Sequence, residues 1–466
     1  MKVLVLVFSV LFLTNCAHLC NMKVKNNVVD NQGRIVIYHG LNVANTAKHD
    51  ALRGYMPWQT KEDFKRLNDW GFNIVRLLVF WHAEEPLQGI HNTAYFDSLI
   101  VRIKYLNSIG VDVVIDCMQG LYGPATGGSG YPEWTTNTGG YKYEERTPWT
   151  LMQLEPAILY AYNTSWQDSN LVNGWVNWVG RCYKAFDTLP NVVGFDVMNE
   201  PFPTMPIDAE KLIKLEGEGE PNINLGNLGT LKCVADSFVK FETKTLPAFY
   251  AKVQTMIDAN KFKKPIWMEP AIWTSSGVPS ILKYKPSKGT VFFPHYYDIK
   301  VHASKPYNKT IAAIMKEEIA ATVINANRFG TPALFGEFGA PMQAPGYLDY
   351  LNDFLALTDS KNIGWTYYTY DKGHPFGVLD VNGVETPHMT KLVRVYPQRI
   401  AGVDPKYGIV GNKFTLTYNH TLDAATEVFI PSNLKVTVNV NGVNIPYTQG
   451  LFSWNKKGKT TLTVEW

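Results

Sequence analysis

Two glutamates in this chain stand where acid/base chemistry could be done. Glu200 closes the stretch Gly-Phe-Asp-Val-Met-Asn-Glu-Pro over Gly194–Pro201, and Glu337 lies in Gly-Glu-Phe-Gly over Gly336–Gly339. Each follows a short apolar run bounded by proline or glycine, the signature of a buried parallel strand. A carboxylate at the C-terminal tip of such a strand projects into the mouth of a barrel, where catalytic side chains gather. Two carboxylates facing each other across that mouth suit glycosidic bond cleavage. One must be protonated to donate to the leaving oxygen, and the other ionised to attack the anomeric carbon or to activate water. A separation of about 5–5.5 Å gives retention of configuration, and about 6.5–9.5 Å inversion.

The elements needed to place them are legible along the chain. Strands are expected at Ile35–Val43, Phe72–Trp81, Val111–Cys117, Gly194–Pro201, Pro265–Pro270, Thr290–Asp298, Pro332–Ala340 and Ile363–Asp371. Helical periods lie between them at Lys61–Trp70, Ala94–Gly110, Trp166–Asp187, Ala235–Asn260, Lys309–Phe329 and Tyr347–Asp359. Eight strands alternating with helices favour an α/β fold of the (β/α)8 barrel type. A doubly wound open sheet would want a Gly-rich phosphate loop after its first strand, and none is present. From residue 393 onward helical periods disappear, and short alternating stretches such as Lys413–Tyr418 and Lys435–Val440 suggest a small all-β sandwich. The division expected is a signal segment at 1–20, a barrel at 21–392 and a β-sandwich at 393–466. Two long inserts, Gly120–Ser165 and Phe202–Cys233, would wall the barrel mouth. The first is rich in aromatic residues, and the second carries Glu216, Glu218 and Glu220, read as a solvated face.

Composition narrows the class. The chain has 466 residues, a net charge of +3 and no long basic run, so nucleic acid is not expected as a partner. Aromatics make up 13%, which suits stacking on sugar rings as well as core packing. Lys2 followed by the apolar Val3–Leu13 reads as a secretory signal too short to span a bilayer, and the mature chain is expected to be secreted or to reside in the lysosomal lumen. Cys117, Cys182 and Cys233 remain after the signal, and a Cys182–Cys233 disulfide is expected in an oxidising compartment. Sequons at Asn163, Asn308 and Asn419 fit a glycoprotein. No Cys-x-x-Cys or histidine cluster suggests a metal, and no cofactor is implied. Arg76, inside the apolar second strand, needs a buried carboxylate partner and would orient a catalytic one.

The Asn199-Glu200-Pro201 strand end, the His295-Tyr296-Tyr297 stretch, Gly336–Gly339 and the late Trp365 together resemble clan A glycoside hydrolases of family 5. The first-strand run His39–Lys48, the spacing Asp116, Gln119, Tyr122 and the C-terminal sandwich narrow the resemblance to endoglycoceramidases and related glycosylceramidases. It implies that Glu200 is the general acid/base and Glu337 the nucleophile, in a retaining endo-β-glycosidase acting between the oligosaccharide and ceramide of glycosphingolipids. Asn199 would bond the sugar 2-hydroxyl, and His295 would line the site. Tyr297 and Arg76 would keep the nucleophile ionised, Trp365 would lie under the reactive sugar, and Lys48 and Asp116 would grip sugar hydroxyls. A monomer touching membranes or micelles transiently is expected, with ceramide as product. One departure stands out: Met118 and Gly120 occupy positions where the family usually has histidine and aspartate. Altered sugar preference, reduced activity or a glycolipid-binding protein would each follow from losing those polar groups. An exo-acting glucosylceramidase and a β-glucanase are the enzymatic alternatives.

Overall fold

The computed structural model describes residues 22–146, 149–216, 220–223 and 228–466. The expected signal segment, with Cys16 and Cys20, lies outside them, as does Glu218. Eight parallel strands form the barrel: β1 (His39–Val43), β2 (Ile74–Phe80), β3 (Asp112–Met118), β4 (Val192–Asp196), β5 (Ile266–Met268), β6 (Val291–Phe292, continued by His295–Tyr296), β7 (Leu334–Phe335, continued by Glu337–Phe338) and β8 (Gly364–Tyr367). Neighbouring strands pair in sequence order, with β8 returning to β1. The His295–Glu337 pairing and the Phe292–Ala333 bridge join β6 to β7 and close the ring. The closed barrel is therefore the fold, as the alternation of periods implies. Close approach decides one glycine. Trp267 on β5 lies against Gly194 on β4, where a Cβ would meet its ring at 2.1 Å.

Two expectations need correction. The stretch Gly120–Ser165 is not all loop, because Pro156–Gln167 is a helix. Pro156 takes its first turn and Glu155 caps it, accepting from the Ala157 N–H at 2.7 Å. Asp168 then stops that helix and caps Ser169–Phe186. The Cys182–Cys233 disulfide does not form. Cys182 faces inward against the Cys117 thiol of β3, whereas Cys233 is exposed on the outer helix Leu228–Lys240. Of the sequons, Asn163 spends its side-chain amide on the backbone of Met205, donating at 2.7 Å and accepting at 2.8 Å.

The C-terminal unit is a two-sheet sandwich with its own apolar core. Strand β9 (Tyr396–Ile400) pairs with the short N-terminal strand Ile35–Val36, so one sheet of the sandwich takes a strand from ahead of the barrel. Arg34 adds an ion pair to Glu427 at 2.9 Å, and Arg394 reaches Asp359 at 2.6 Å. The two units also meet at His39. Its ring is sandwiched between Trp365 at 4.2 Å and Tyr396 at 3.7 Å. Both ring nitrogens are buried without a hydrogen-bond partner among the described residues.

Burial, helped by the Arg394 charge, holds the His39 imidazole well below its ordinary range. Below the unfolded value of ~6.5 the unfolded chain binds a proton that the folded chain refuses. Stability tied to His39 is therefore complete above that value and is lost as pH falls, by up to about 1.4 kcal/mol per pH unit. Calorimetric melting at pH 7 and pH 5 should show a lower midpoint at pH 5. His39→Phe, which keeps the stack and removes the titration, should narrow that gap; an unchanged gap would dismiss the coupling.

Candidate active site

The side chains that point into a barrel alternate with those that point out. Inside this one, Asn42, Arg76, Asp116 and Asp196 converge below the mouth, and Glu200, Glu269, His295 and Glu337 stand above them. Arg76, fully buried, is the hub. Its Nη1 donates to Glu337 Oε1 at 2.6 Å and to Asn42 Oδ1 at 2.9 Å. Its Nη2 meets Asp196 at 2.7 Å, Asn199 Oδ1 at 2.8 Å, Glu269 at 3.1 Å and Asp116 at 3.2 Å. Four buried carboxylates around one guanidinium cannot all ionise. Asp116 is pushed far up, by burial first and by the Asp196 and Glu337 charges, with Arg76 and His295 opposing. Both its oxygens are buried without a hydrogen-bond partner among the described residues, although Oδ1 lies 3.2 Å from Arg76 Nη2.

Glu337 behaves in the opposite way. Burial alone would raise it, but the His295 and Arg76 charges, the Tyr297 hydroxyl and Lys48 outweigh that and hold it below the ordinary carboxylate range. Tyr297 donates to Glu337 Oε2 at 2.9 Å. Glu200 has a different setting. Its side chain is 20% exposed against 9% for Glu337, and its Oε1 lies 3.0 Å from His295 Nδ1. A carboxylate oxygen of Glu200, one of Glu337 and a His295 nitrogen all lie within 4.8 Å of one another. Glu200 also has a left-handed backbone, with φ +41°, which a non-glycine residue adopts at a cost of about 1–3 kcal/mol. Gln119 fixes that turn by donating from Nε2 to the carbonyls of Asn199 at 2.6 Å and Glu200 at 2.9 Å.

Most of the site residues named from sequence come together. Asn199 sits at the mouth, its amide held by Arg76 and by the Gln119 carbonyl at 2.7 Å. Lys48, on the turn after β1, lies near Glu337, Asp371 and Glu200; burial lowers its ammonium against the pull of those carboxylates. Two of the named residues do not reach the mouth. Trp365 is fully buried and points outward from β8 onto His39 and Phe338. Strand parity assigns the mouth instead to Tyr368, three residues on, whose hydroxyl donates to Asn45 Oδ1. Burial first, then the Glu337, Asp371 and Glu200 charges, push its phenol far up, which places it beside both glutamates. Asp116 lies two residues short of the end of β3 and is spent on Arg76 rather than on a sugar. The end position belongs to Met118, 7% exposed.

Sequence reasoning missed Asp196 and Glu269. The signal for Glu269 was present, since Met-Glu-Pro at the end of β5 repeats the Glu-Pro ending of β4. Asp196, Glu269 and His295 each bring a donor atom within 4.8 Å of the others, a grouping that could hold a metal ion. The Arg76 guanidinium already lies against both of those carboxylates as their cation.

Residues 29–374 match the model of the cellulase family, glycosyl hydrolase family 5. Endoglycoceramidase I of Rhodococcus hoagii is 26% identical over 87% of this chain and 78% of its own length. An endoglycoceramidase of Cyanea nozakii is 24% identical over 87% and 82%. The fold is shared with endo-glycoceramidase II from Rhodococcus sp. in its ganglioside GM3 complex, with a TM-score of 0.78 at 23% identity, covering 94% of this chain and 99% of that one.

Removing the hub tests its structural weight. Arg76→Met leaves Asp196, Glu269 and Glu337 buried without their cation and should destabilise the fold by about 3–5 kcal/mol in urea unfolding. A loss below about 1 kcal/mol would mean that the carboxylates are compensated elsewhere.

Proposed function

This chain belongs to glycosyl hydrolase family 5 and is an O-glycosyl hydrolase, and we propose that it releases the intact oligosaccharide of a glycosphingolipid from ceramide with retention of configuration. The observation that carries the chemistry is the unequal pair at one mouth. Glu200 and Glu337 each bring a carboxylate oxygen within 4.8 Å of the other, a close pairing that suits the direct attack of a retaining reaction. Glu337, held ionised by Arg76 and Tyr297, is the nucleophile that forms the glycosyl-enzyme. Glu200, free of the guanidinium and more exposed, gives its proton to the leaving oxygen. It then draws a proton from the water that releases the sugar. Lys48, Asn199, His295 and the Tyr368–Asn45 pair bound the space for the reactive sugar.

The glycosphingolipid substrate rests on the endoglycoceramidase relatives and on the loops around the mouth. Exposed apolar side chains sit on the loops after β1 (Leu52), β2 (Leu87, Ile90), β3 (Tyr141) and β8 (Val381, Val384). They suit a transient seat on a membrane or micelle from which the lipid is drawn. Among the described residues, no helix is long and apolar enough to cross a membrane. Secretion or residence in the lysosomal lumen follows from reading residues 1–20 as a signal segment. The glycolipid-binding alternative, raised by Met118 and Gly120, is disfavoured because both glutamates and their supporting bonds are in place.

The test is to incubate the purified protein with a ganglioside, lactosylceramide and glucosylceramide and to read products by mass spectrometry. Intact oligosaccharide plus ceramide is expected. Glu337→Gln should abolish it, and Glu200→Gln should slow it roughly 10²–10⁴-fold. Free glucose from glucosylceramide alone would replace the endo reading with an exo-acting one, and binding without product would support the silent alternative.

A further inference from the structure

Glu269 follows the last residue of β5 and is 2% exposed, so it touches no substrate. Its whole side chain is nevertheless spent on the acid/base glutamate and its neighbours. Oε2 accepts the backbone N–H of Glu200 at 3.0 Å. Oε1 lies 3.1 Å from Arg76 Nη2 and 3.0 Å from His295 Nε2. The Glu269 carbonyl accepts the Tyr250 hydroxyl at 2.6 Å, which anchors the strand end to the helix Leu246–Asn260. On the far side of the imidazole, His295 Nδ1 is 3.0 Å from Glu200 Oε1 and 3.7 Å from Glu337 Oε2.

The Glu269 carboxylate accepts from the Glu200 N–H and from Arg76 Nη2, and His295 Nε2 lies in ion-pair contact with it, an arrangement that serves the ionised form. Burial first, then the Asp196 charge, push the group well above the ordinary carboxylate range, with His295 and Arg76 opposing; the N–H donors at its oxygens act against that rise. The imidazole is its counter-charge: burial would lower His295, but Glu269 first, then Glu337 and Glu200, hold it well above its ordinary range. A doubly protonated ring has only donors. Nε2–H faces Glu269, and Nδ1–H faces Glu200 Oε1. Glu200 Oε2 is then the oxygen left to carry the proton delivered to the leaving group. A neutral ring with a bare Nδ1 would instead accept that proton's hydrogen bond and turn it away from the substrate.

We propose that Glu269 is a positioning residue for acid/base catalysis: it pins the left-handed backbone of Glu200 and, through His295, directs the Glu200 proton to the oxygen that faces the leaving group. The inference rests on the retaining reaction proposed above but not on ceramide as the leaving group. The groups facing Glu269 are Arg76 from β2, Asp196 from β4, His295 from β6 and Tyr250 from the packed helix. Asp116, Glu200 and Glu337 lie one step further. Of these, Glu337 also depends on the imidazolium, because His295 is the first of the groups that lower it.

Glu269→Gln keeps the shape and can still accept the Glu200 N–H, but it removes the charge. Two substrates separate positioning from mere folding. Turnover of a lactosyl glycolipid, whose leaving oxygen needs a proton, should fall on the order of 10²-fold. Formation of the glycosyl-enzyme from 2,4-dinitrophenyl β-lactoside, whose leaving group needs none, should stay within a few-fold. The acidic limb of kcat/KM should move up by about one pH unit as Glu337 loses the imidazolium. Equal losses on both substrates with the limb in place would reduce Glu269 to a structural role and overturn the proposal, as would no loss at all. If thermal melting shows that Glu269→Gln does not fold, His295→Gln cuts the same connection and must show the same substrate split. Phenyl β-lactoside replaces the glycolipid should ceramide substrates prove inert, so that failure of the lipid assignment and failure of this proposal are read separately.

Discussion

The structure depends on a single buried cation. Arg76 sits in the barrel interior with Asp116, Asp196, Glu269 and Glu337 all within 3.2 Å of its guanidinium. A planar group with five fixed donors is the one side chain that can serve several carboxylates at once. The strand ends that carry those carboxylates come from β3, β4, β5 and β7, so the hub fixes half the barrel's C-terminal rim relative to β2. The same contact that organises the fold at this level also keeps the nucleophile candidate ionised. Positioning and electrostatics are therefore one feature here, and neither can be altered without the other.

Much of this was legible in the chain. Short apolar, β-branched runs alternating with helical periods located all eight strands, because a strand buried on both faces leaves little freedom in composition. The same pattern placed Glu200 and Glu337 at strand tips. What failed was parity and depth. Trp365 has the right type but the wrong face, since strand residues alternate and Thr366 and Tyr368 hold the inward positions. Asp116 has the right face but lies two residues short of the end of its strand, one layer too deep to meet a ligand. The third carboxylate, Glu269, was visible as a Glu-Pro ending. It lacks the preceding asparagine that marks Glu200.

The second unit shows another limit of reading by segment. The change of texture at residue 393 marks where helices stop, but not where the sandwich begins, because Ile35–Val36 completes one of its sheets. A strand borrowed from the other end of the chain leaves no local trace beyond its own β-branched residues. The pairing ties the segment ahead of the barrel to one sheet of the sandwich, and the His39 stack and the Arg394–Asp359 pair bind that sheet to the barrel. The sandwich thus braces the outer face of β1 at His39, whose other ring face lies against Trp365 of β8.

That arrangement explains why the mouth can hold so uneven a set of charges. Packing a barrel interior with carboxylates is costly unless each is paired or protonated. Here Asp116, Asp196, Glu269 and Glu337 all meet the guanidinium, and Glu269 and Glu337 also face the His295 imidazole. Glu200 alone has a side chain that, among the described residues, hydrogen-bonds only His295. The division of labour between the two catalytic candidates follows from that difference rather than from their own chemistry, which is identical. A glutamate tied to an arginine and a tyrosine hydroxyl stays ionised and ready to attack. A glutamate at the edge, hydrogen-bonded among the described residues only to a histidine, is the one whose setting suits the acid/base role proposed for it.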